Sequence, residues 1–352
     1  MQDPKHREYR VALLGYGLGG ACFHAPLIAT TPGLRVATIV TSNPERQAEA
    51  SRKHPAARVV ADATWVWRNA AAHDVVVIST PNRTHVPLAL AALAAGLPVV
   101  VDKPFAPTAA AAREVIAAAS ARRLWVSPYH NRRWDSECLT ARRLIEEGQI
   151  GRVLRFESRL ERWRPLPKGG WREQGAPEEA GGLLYDLGSH LIDQALYLFG
   201  PVSHVYAEID TRRAGLAVDD DVFLAITHQS GVRSHLWTSY LAAHGGPRMR
   251  VLGSSGAYFK QHPDPQEAAL RSGHLPTETG WGEEAPEHWG TLSDGLRERP
   301  VRSEPGAYQQ YYARVVATLR GDAPVPVDPA DAVAGLEVIE KAQRSIGARG
   351  TT

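Results

Sequence analysis

Residues 11–20 of this 352-residue chain have the sequence VALLGYGLGG. The four apolar residues predict a buried strand, and the turn that follows carries Gly15, Gly17 and Gly20 in a G-x-G-x-x-G pattern. Glycine permits a tight turn and lets the backbone approach a pyrophosphate, which the amides of the next helix then face. Because the motif follows the first strand, we expect a dinucleotide site; the alternative is a glycine-rich turn without a ligand.

Short apolar runs alternate with helical patterns through the first third of the chain. Strands are predicted at residues 10–15, 35–40, 58–62, 74–80, 97–104 and 124–130. Alanine-rich helices are predicted at 84–96 and 107–123. Continuous apolar strands alternating with helices indicate a parallel sheet covered on both faces. We therefore expect an α/β Rossmann domain over residues 1–131.

The pattern changes after residue 131, where consecutive strands replace the alternation. Helices are predicted at 136–148 and 181–200, and two more, at 308–321 and 329–347, close the chain. The predicted strands are 153–163, 202–210, 221–228, 232–241, 248–253 and 257–260. Tight turns between strands favour an open, mostly antiparallel sheet in an α+β domain over 132–352. The last helices can pack back on the first domain, and residues 262–305 are expected to be irregular.

Composition excludes several classes of protein. The chain has 40 basic and 38 acidic residues, so its net charge of +2 gives no reason to expect binding to nucleic acid or to an anionic membrane. Two cysteines, Cys22 and Cys138, are too few for a disulfide framework or a cysteine zinc site. Without a signal peptide or a membrane-spanning apolar run, the expected location is the cytoplasm.

The end of the second predicted strand bears on the choice of cofactor. A site that prefers NAD usually has Asp or Glu there to hold the ribose hydroxyls, and none follows Val40. Thr41 and Ser42 offer hydroxyl groups instead, and Arg46 offers a partner for a phosphate. We expect NADP(H) to be preferred, with NAD(H) possible.

Four segments, 15–28, 76–108, 129–135 and 181–200, together resemble the glucose-fructose oxidoreductase / inositol dehydrogenase (Gfo/Idh/MocA) family. The segments FHAP and YHNRRWD are most similar to its NADP-dependent scyllo-inositol dehydrogenase branch. The resemblance implies an NAD(P)-dependent oxidoreductase that acts on a secondary alcohol of a cyclitol or sugar. It also implies a homodimer or homotetramer, and an open sheet in the second domain would supply the contact surface.

Three residues are candidates for the reacting groups. Lys103 follows a buried parallel strand, at the sheet edge where ligands bind, although a surface lysine would also fit this position. Asp186 and His190 are spaced i, i+4 on a predicted helix and could act together, or form a buried structural pair. Imidazole suits acid–base chemistry near neutral pH. In family terms these three residues occupy the catalytic positions.

The family's Glu-Lys-Pro is Asp102-Lys103-Pro104 here, and the resemblance suggests a cis bond before the proline. Asp193 extends the Asp186 and His190 spacing to i+7, which would also suit a metal. No His-Glu-x-x-His or Cys/His framework accompanies it, and Lys103 supplies positive charge. We therefore expect no metal.

Further binding residues are inferred from the resemblance. Thr80, Pro81, Asn82 and His85 would line the nicotinamide ribose, although ordinary turn and cap chemistry explains them equally well. Asn131 and Arg132 lie at the domain junction, where function and structure are equally good explanations.

Two alternative functions remain open at this point. One is a cofactor-retaining glycosidase or epimerase on the same scaffold, which would borrow and return a hydride. The other is a non-catalytic NADPH-binding regulator, which would have no need for Lys103, Asp186 and His190. Fold alone does not separate them.

Overall fold

The apolar runs of the first 130 residues form one parallel sheet in a computed structural model, which describes residues 7–170, 173, 175 and 179–347. Its six strands lie in the order β3-β2-β1-β4-β5-β6, and all neighbouring pairs are parallel. This is the strand order of a dinucleotide-binding Rossmann sheet. The strands are β1 (Tyr9–Leu14), β2 (Leu34–Val40), β3 (Arg58–Val60), β4 (Val75–Ile78), β5 (Val99–Val101) and β6 (Val126–Pro128).

Helices cover this sheet on both faces, so β1, β4 and β5 are almost wholly buried. Side-chain caps mark where two of the helices begin: Asn43 accepts a hydrogen bond from the Arg46 amide, and Thr108 accepts one from the Ala111 amide. The helices are α1 (Ala25–Thr30), α2 (Pro44–Lys53), α3 (Thr64–Arg68), α4 (His85–Ala94) and α5 (Ala109–Ala121).

The second half of the chain builds an eight-stranded sheet in the order β14-β13-β12-β11-β7-β10-β9-β8. All neighbouring pairs are antiparallel except β7 and β10, which pair in parallel. The predicted combination of a parallel Rossmann sheet with a mostly antiparallel sheet is confirmed. The strands are β7 (Val153–Glu161), β8 (Val202–Asp210), β9 (Asp221–His228), β10 (Arg233–Ser239), β11 (Met249–Gly253), β12 (Ala257–Lys260), β13 (Gly290–Ser293) and β14 (Glu298–Val301).

The prediction that residues 262–305 are irregular was wrong in part. A short helix, α8 (Gln266–Arg271), lies in this segment, and β13 and β14 form a hairpin that extends the second sheet. Its turn spans residues 294–297, in which Gly295 has φ 89° and the Asp294 side chain accepts hydrogen bonds from the amides of Leu296 and Arg297. Asp-Gly is a strong hairpin signal, but strands of four residues are too short to show a clear alternation.

Four longer helices complete the second half: α6 (Ser136–Glu146), α7 (Ser189–Phe199), α9 (Gln309–Arg320) and α10 (Pro329–Gly347). The helices α7 and α10 cover one face of the second sheet, where Val222, Leu224 and Ile226 of β9 are buried. The helix α10 also packs against α5, and α9 packs against α1. The last helices therefore pack on both halves of the molecule.

The opposite face of the second sheet carries part-exposed aromatic side chains on the neighbouring strands β8, β9 and β10. The rings of Phe223 and Trp237 lie 5.0 Å apart, and the guanidinium of Arg159 lies 3.8 Å from the Trp237 ring. Tyr206 stands beside Phe223, with ring centroids 6.4 Å apart. We call these aromatic residues, Tyr206, Phe223 and Trp237, the open-face cluster.

The structure bears on the two cysteines and on membrane-spanning helices. Cys22 and Cys138 are both buried free thiols. Within the described ranges, no helix is both long enough and apolar enough to cross a membrane.

Candidate active site

A cavity of about 510 Å³ lies at the carboxyl edge of the first sheet. The turn after β1 forms one wall, with Gly15 at φ 94°. A Cβ atom at Gly15 would lie 2.2 Å from the Ser79 carbonyl oxygen, and one at Gly20 would lie 2.0 Å from the Gly15 carbonyl oxygen. Neither position accepts a side chain, so the turn packs tightly against the end of β4.

Gly17 differs from these two glycines because a Cβ atom there would meet no backbone atom and would make only ordinary contact with a side chain. The nearest atom to the place where its Cβ would lie is Nη1 of Arg46, at 3.6 Å. The backbone here is therefore accessible to a phosphate group, with a guanidinium beside it. Accessible backbone next to a basic side chain suits a phosphate group of a dinucleotide.

Thr41, Ser42 and Arg46 all line this cavity, beside the Gly15 turn. Glu45 does not, and among the described lining residues Asp102 is the single carboxylate. Asp102 belongs to the β5 end of the cavity, where it accepts a hydrogen bond from Ser79 Oγ at 2.9 Å. The end of β2 thus offers hydroxyl groups and a guanidinium to a ribose.

Thr80, Pro81 and Asn82 also line the cavity, whereas His85 does not. The Asn82 side-chain amide donates to the carbonyl oxygens of Glu179 and Ala180, both at 3.1 Å. His85 is 1% exposed, with Nδ1 2.8 Å from the Pro104 carbonyl oxygen and Nε2 3.0 Å from that of Thr80. His85 therefore connects the loops after β4 and β5 from behind the cavity.

A second cavity, of about 320 Å³, adjoins the first, and both are lined by Leu18, Gly19, Asp102 and Lys103. It lies between the two sheets. The structure brings together here the predicted site residues Lys103, Asn131, Arg132, Asp186 and His190.

Lys103 is held at the junction of the two cavities. Its Nζ donates to the backbone oxygen of Asp186 at 2.5 Å and to Oδ1 of the same residue at 2.7 Å. The bond between Lys103 and Pro104 is cis, as predicted. The ammonium group is mostly shielded from solvent, with 15% of the side chain exposed.

His190 is buried at the wall of the second cavity, and its Nδ1 has no hydrogen-bond partner among the described residues. Burial, together with the nearby charges of Lys103 and Arg132, lowers the pKa of His190 well below its ordinary value. The imidazole is therefore neutral at neutral pH and able to accept a proton. Asp186, one turn before His190, forms an ion pair with Lys103.

The i, i+4 spacing of Asp186 and His190 does not lie on a regular α-helix. A π-helical turn, Leu184–Gly188, precedes α7 and carries Asp186. Wide turns of this kind occur frequently at functional sites. Asp193, which the spacing offered as a further metal ligand, forms a bidentate ion pair with Arg133 at 2.9 and 2.6 Å.

Several residues around the reacting groups had no signal of their own in the sequence. His24 Nδ1 lies 2.5 Å from the Tyr312 hydroxyl, and its Nε2 lies 3.4 Å from Asp102 Oδ2. Burial would raise the pKa of Asp102, but its interaction with His24 and the charge of Lys103 lower it instead. Asp102 is therefore ionised beneath Lys103. The FHAP segment, which contains His24, was the available clue.

Comparison with known proteins places this site in a family. The model of an oxidoreductase family with an NAD-binding Rossmann fold matches residues 9–130, and that of its C-terminal α/β domain matches residues 142–351. The chain belongs to the Gfo/Idh/MocA oxidoreductase family. It is accordingly an NAD(P)-dependent oxidoreductase, and the family resemblance seen in the sequence is confirmed.

Relatives of this Gfo/Idh/MocA protein match along nearly their whole length. The uncharacterized oxidoreductase YdgJ of Escherichia coli K12 is 41% identical, covering 97% of each chain. The scyllo-inositol 2-dehydrogenase (NADP⁺) IolW of Bacillus subtilis is 33% identical, covering 96% of this chain and 93% of its own. A solved oxidoreductase structure from Yersinia pestis superposes with a TM-score of 0.91 at 38% identity, covering 99% and 97% of the two chains.

Proposed function

We propose that this protein is an NADP(H)-dependent dehydrogenase that acts on a secondary alcohol, or the matching ketone, of a cyclitol or sugar. One observation carries the proposal: Lys103 and His190 line a single cavity that opens directly onto the predicted nucleotide cavity. The name of the B. subtilis relative, an NADP⁺-dependent inositol dehydrogenase, supports the same substrate class. Free thiols are typical of a reducing compartment, so the two buried free cysteines favour a cytoplasmic location.

The roles of the side chains follow from their charges. A bound nicotinamide supplies the hydride acceptor. A neutral imidazole nitrogen of His190 takes the proton from the substrate hydroxyl oxygen. The Lys103 ammonium stabilises the negative charge that develops on this oxygen. Asp186 holds Nζ of Lys103 in place and can share it with the substrate.

The test is a spectrophotometric screen of inositols and aldoses with NADP⁺, read as NADPH formation. Net NADPH formation is the expected result. A cofactor-retaining glycosidase or epimerase would convert its substrate without net NADPH, and a regulator would bind NADPH without converting any substrate. Either pattern would replace the dehydrogenase proposal.

We expect kcat/KM to be higher with NADP⁺ than with NAD⁺, and Arg46→Ala to reduce the ratio. The guanidinium beside Gly17 can make charge-assisted hydrogen bonds to a 2′-phosphate, which contribute about 1.5–3 kcal/mol, or roughly ten- to a hundredfold. The measurement is kcat/KM for both cofactors in the wild type and the variant. Arg52→Ala changes an exposed arginine in the last turn of α2 and is the matched control.

Two results would contradict parts of this explanation. Equal or better use of NAD⁺ by the wild type would remove the NADP(H) preference. If Arg46→Ala left the ratio unchanged, the preference for NADP⁺ would remain. Thr41 and Ser42 would then account for it in place of Arg46.

We further expect a homodimer or homotetramer assembled through the open-face cluster. Part-exposed aromatic rings on a flat sheet are a typical contact surface, and one carboxylate placed among them should separate the subunits. Sedimentation should give a dimer or tetramer for the wild type and a smaller species for Trp237→Glu. A monomeric wild type at micromolar concentration would rule out this assembly.

A further inference from the structure

The cavity that holds His190 carries more positive than negative charge. Among the described residues that line it, three are acidic and six are basic: Lys103, Arg132, Arg162, Arg164, Lys168 and Arg271. A neutral polyol does not require such a surplus. The distribution of ion pairs shows which of the basic groups are left for a ligand.

Two of the three carboxylates are committed to the reacting end of the cavity. Asp186 pairs with Lys103, and Asp102 lies against His24 and Ser79. The third carboxylate, Glu267, contacts several basic side chains at the same time.

Glu267 accepts a hydrogen bond from Arg132 at 2.6 Å and two from Arg271 at 2.9 and 3.1 Å. It also lies 3.7 Å from Arg162. Three guanidinium groups therefore surround one carboxylate. Burial lowers the pKa of Arg162, and Arg164 and Arg132 lower it further against the opposing effect of Glu267. An anion near Arg162 would relieve this repulsion.

Arg164 lies next to this group and makes no ion pair with any described carboxylate. Its guanidinium contacts Tyr240, with Nη1 3.4 Å from the hydroxyl and Cζ 5.0 Å from the ring centroid. The backbone amides of Arg162 and Arg164 donate to the carbonyl oxygens of Ser239 and Tyr240, which fixes this segment beyond β7. Trp163, between the two arginines, is 56% exposed, as expected where alternate side chains point to opposite sides.

Cofactor phosphates do not explain these two arginines. The nucleotide cavity is lined by Arg46 and Lys103, and neither Arg162 nor Arg164 lines it. Both arginines instead line the cavity of His190 and Asp186. Their positive charges therefore face the ligand that binds in the substrate cavity.

We infer that the substrate is a polyol that bears an oxyanion, either a carboxylate or a phosphate ester, and that Arg162 and Arg164 bind this group. The inference rests on the proposed dehydrogenase function. A planar guanidinium matches both kinds of oxyanion with paired hydrogen bonds. These two arginines line the same cavity as Lys103 and His190, so a substrate whose anion binds the arginines can place a hydroxyl group at the reacting residues.

The experiment compares matched pairs of substrates with NADP⁺: D-gluconate with D-glucitol, D-glucuronate with D-glucose, and myo-inositol 1-phosphate with myo-inositol. At least one anionic member should have a kcat/KM about tenfold or more above that of its neutral partner. Arg162→Gln and Arg164→Gln should each reduce this ratio roughly ten- to a hundredfold. Arg164→Lys, which keeps the charge, should reduce it less. With NADP⁺ kept saturating, raising the salt concentration should lower kcat/KM more for the anionic member than for its neutral partner.

The control is Arg122→Gln, an exposed arginine at the end of α5, which should leave the ratio unchanged. The pairs that respond distinguish a carboxylate from a phosphate ester. If the neutral members are used as well as or better than the anionic ones in all three pairs, the inference is wrong and the dehydrogenase proposal stands.

If none of these compounds is oxidised, that result counts against the proposed dehydrogenase function. Binding of the anions can then be measured directly to test the inference about Arg162 and Arg164. Calorimetric titration of NADP⁺-loaded enzyme with D-gluconate and with myo-inositol 1-phosphate should then show binding that Arg164→Gln weakens roughly ten- to a hundredfold. Absence of binding by both anions, or equal binding by the variant, would overturn the inference.

Discussion

Lys103→Met is expected to lower kcat by a factor on the order of 100 or more while NADPH binding stays nearly unchanged. Methionine keeps much of the length of the side chain and removes the ammonium at the junction of the two cavities. No other described basic residue lines both cavities at this junction, so the charge on the substrate oxygen loses its stabilising partner. The measurements are kcat with the best substrate of the screen and a fluorescence titration with NADPH.

Two variants separate loss of charge from loss of structure. Lys341→Met removes an exposed lysine from α10 and should leave kcat and the unfolding temperature as in the wild type. Asp186→Asn keeps the backbone oxygen that Lys103 Nζ contacts, so the ammonium should stay near its position. A normal kcat in Lys103→Met would show that the ammonium does not stabilise the reacting oxygen.

Much of the fold was predictable because its signals are local. A buried strand, a glycine-rich turn and a helix follow one another between residues 9 and 30, and repetition of the unit specifies a parallel sheet. The parallel pairing of β7 with β10 was not predictable. These strands are about 70 residues apart, and no local pattern indicates which strands of an open sheet become neighbours.

Site residues that belong to family motifs were predictable from the sequence, and site residues outside those motifs were not. Lys103 and Asp186 meet across 83 residues, and the resemblance placed both at the reaction centre. The resemblance also implied that His85 lines the nicotinamide ribose. In the structure its ring is buried between the carbonyl oxygens of Thr80 and Pro104, a position that sequence alone does not reveal. Arg162, Arg164 and Glu267 belong to segments without any motif, and tertiary structure alone brings them together.

His190→Ala is expected to lower kcat for alcohol oxidation by about 10²- to 10⁴-fold, the range for loss of a general base. Burial and the neighbouring positive charges lower the pKa of this histidine, so the neutral, proton-accepting form persists below the ordinary value of about 6.5. The wild-type kcat/KM for oxidation should therefore stay level as the pH falls through about 6.5 and decline only at lower pH. Ketone reduction, which needs the protonated form, should become faster toward the same low pH.

The pH profile distinguishes a general base from a residue that only shapes the cavity. The acid limb is the decline of kcat/KM at low pH. In His190→Ala it should disappear along with most of the rate, whereas a purely structural role for His190 would preserve it. His274→Ala, which removes an exposed histidine, should reproduce the wild-type profile. The assignment would be refuted by a near-normal kcat in His190→Ala at its optimum pH. An acid limb in the variant at the wild-type position would likewise show that another group titrates, because the loss of a single imidazole cannot leave its own titration behind.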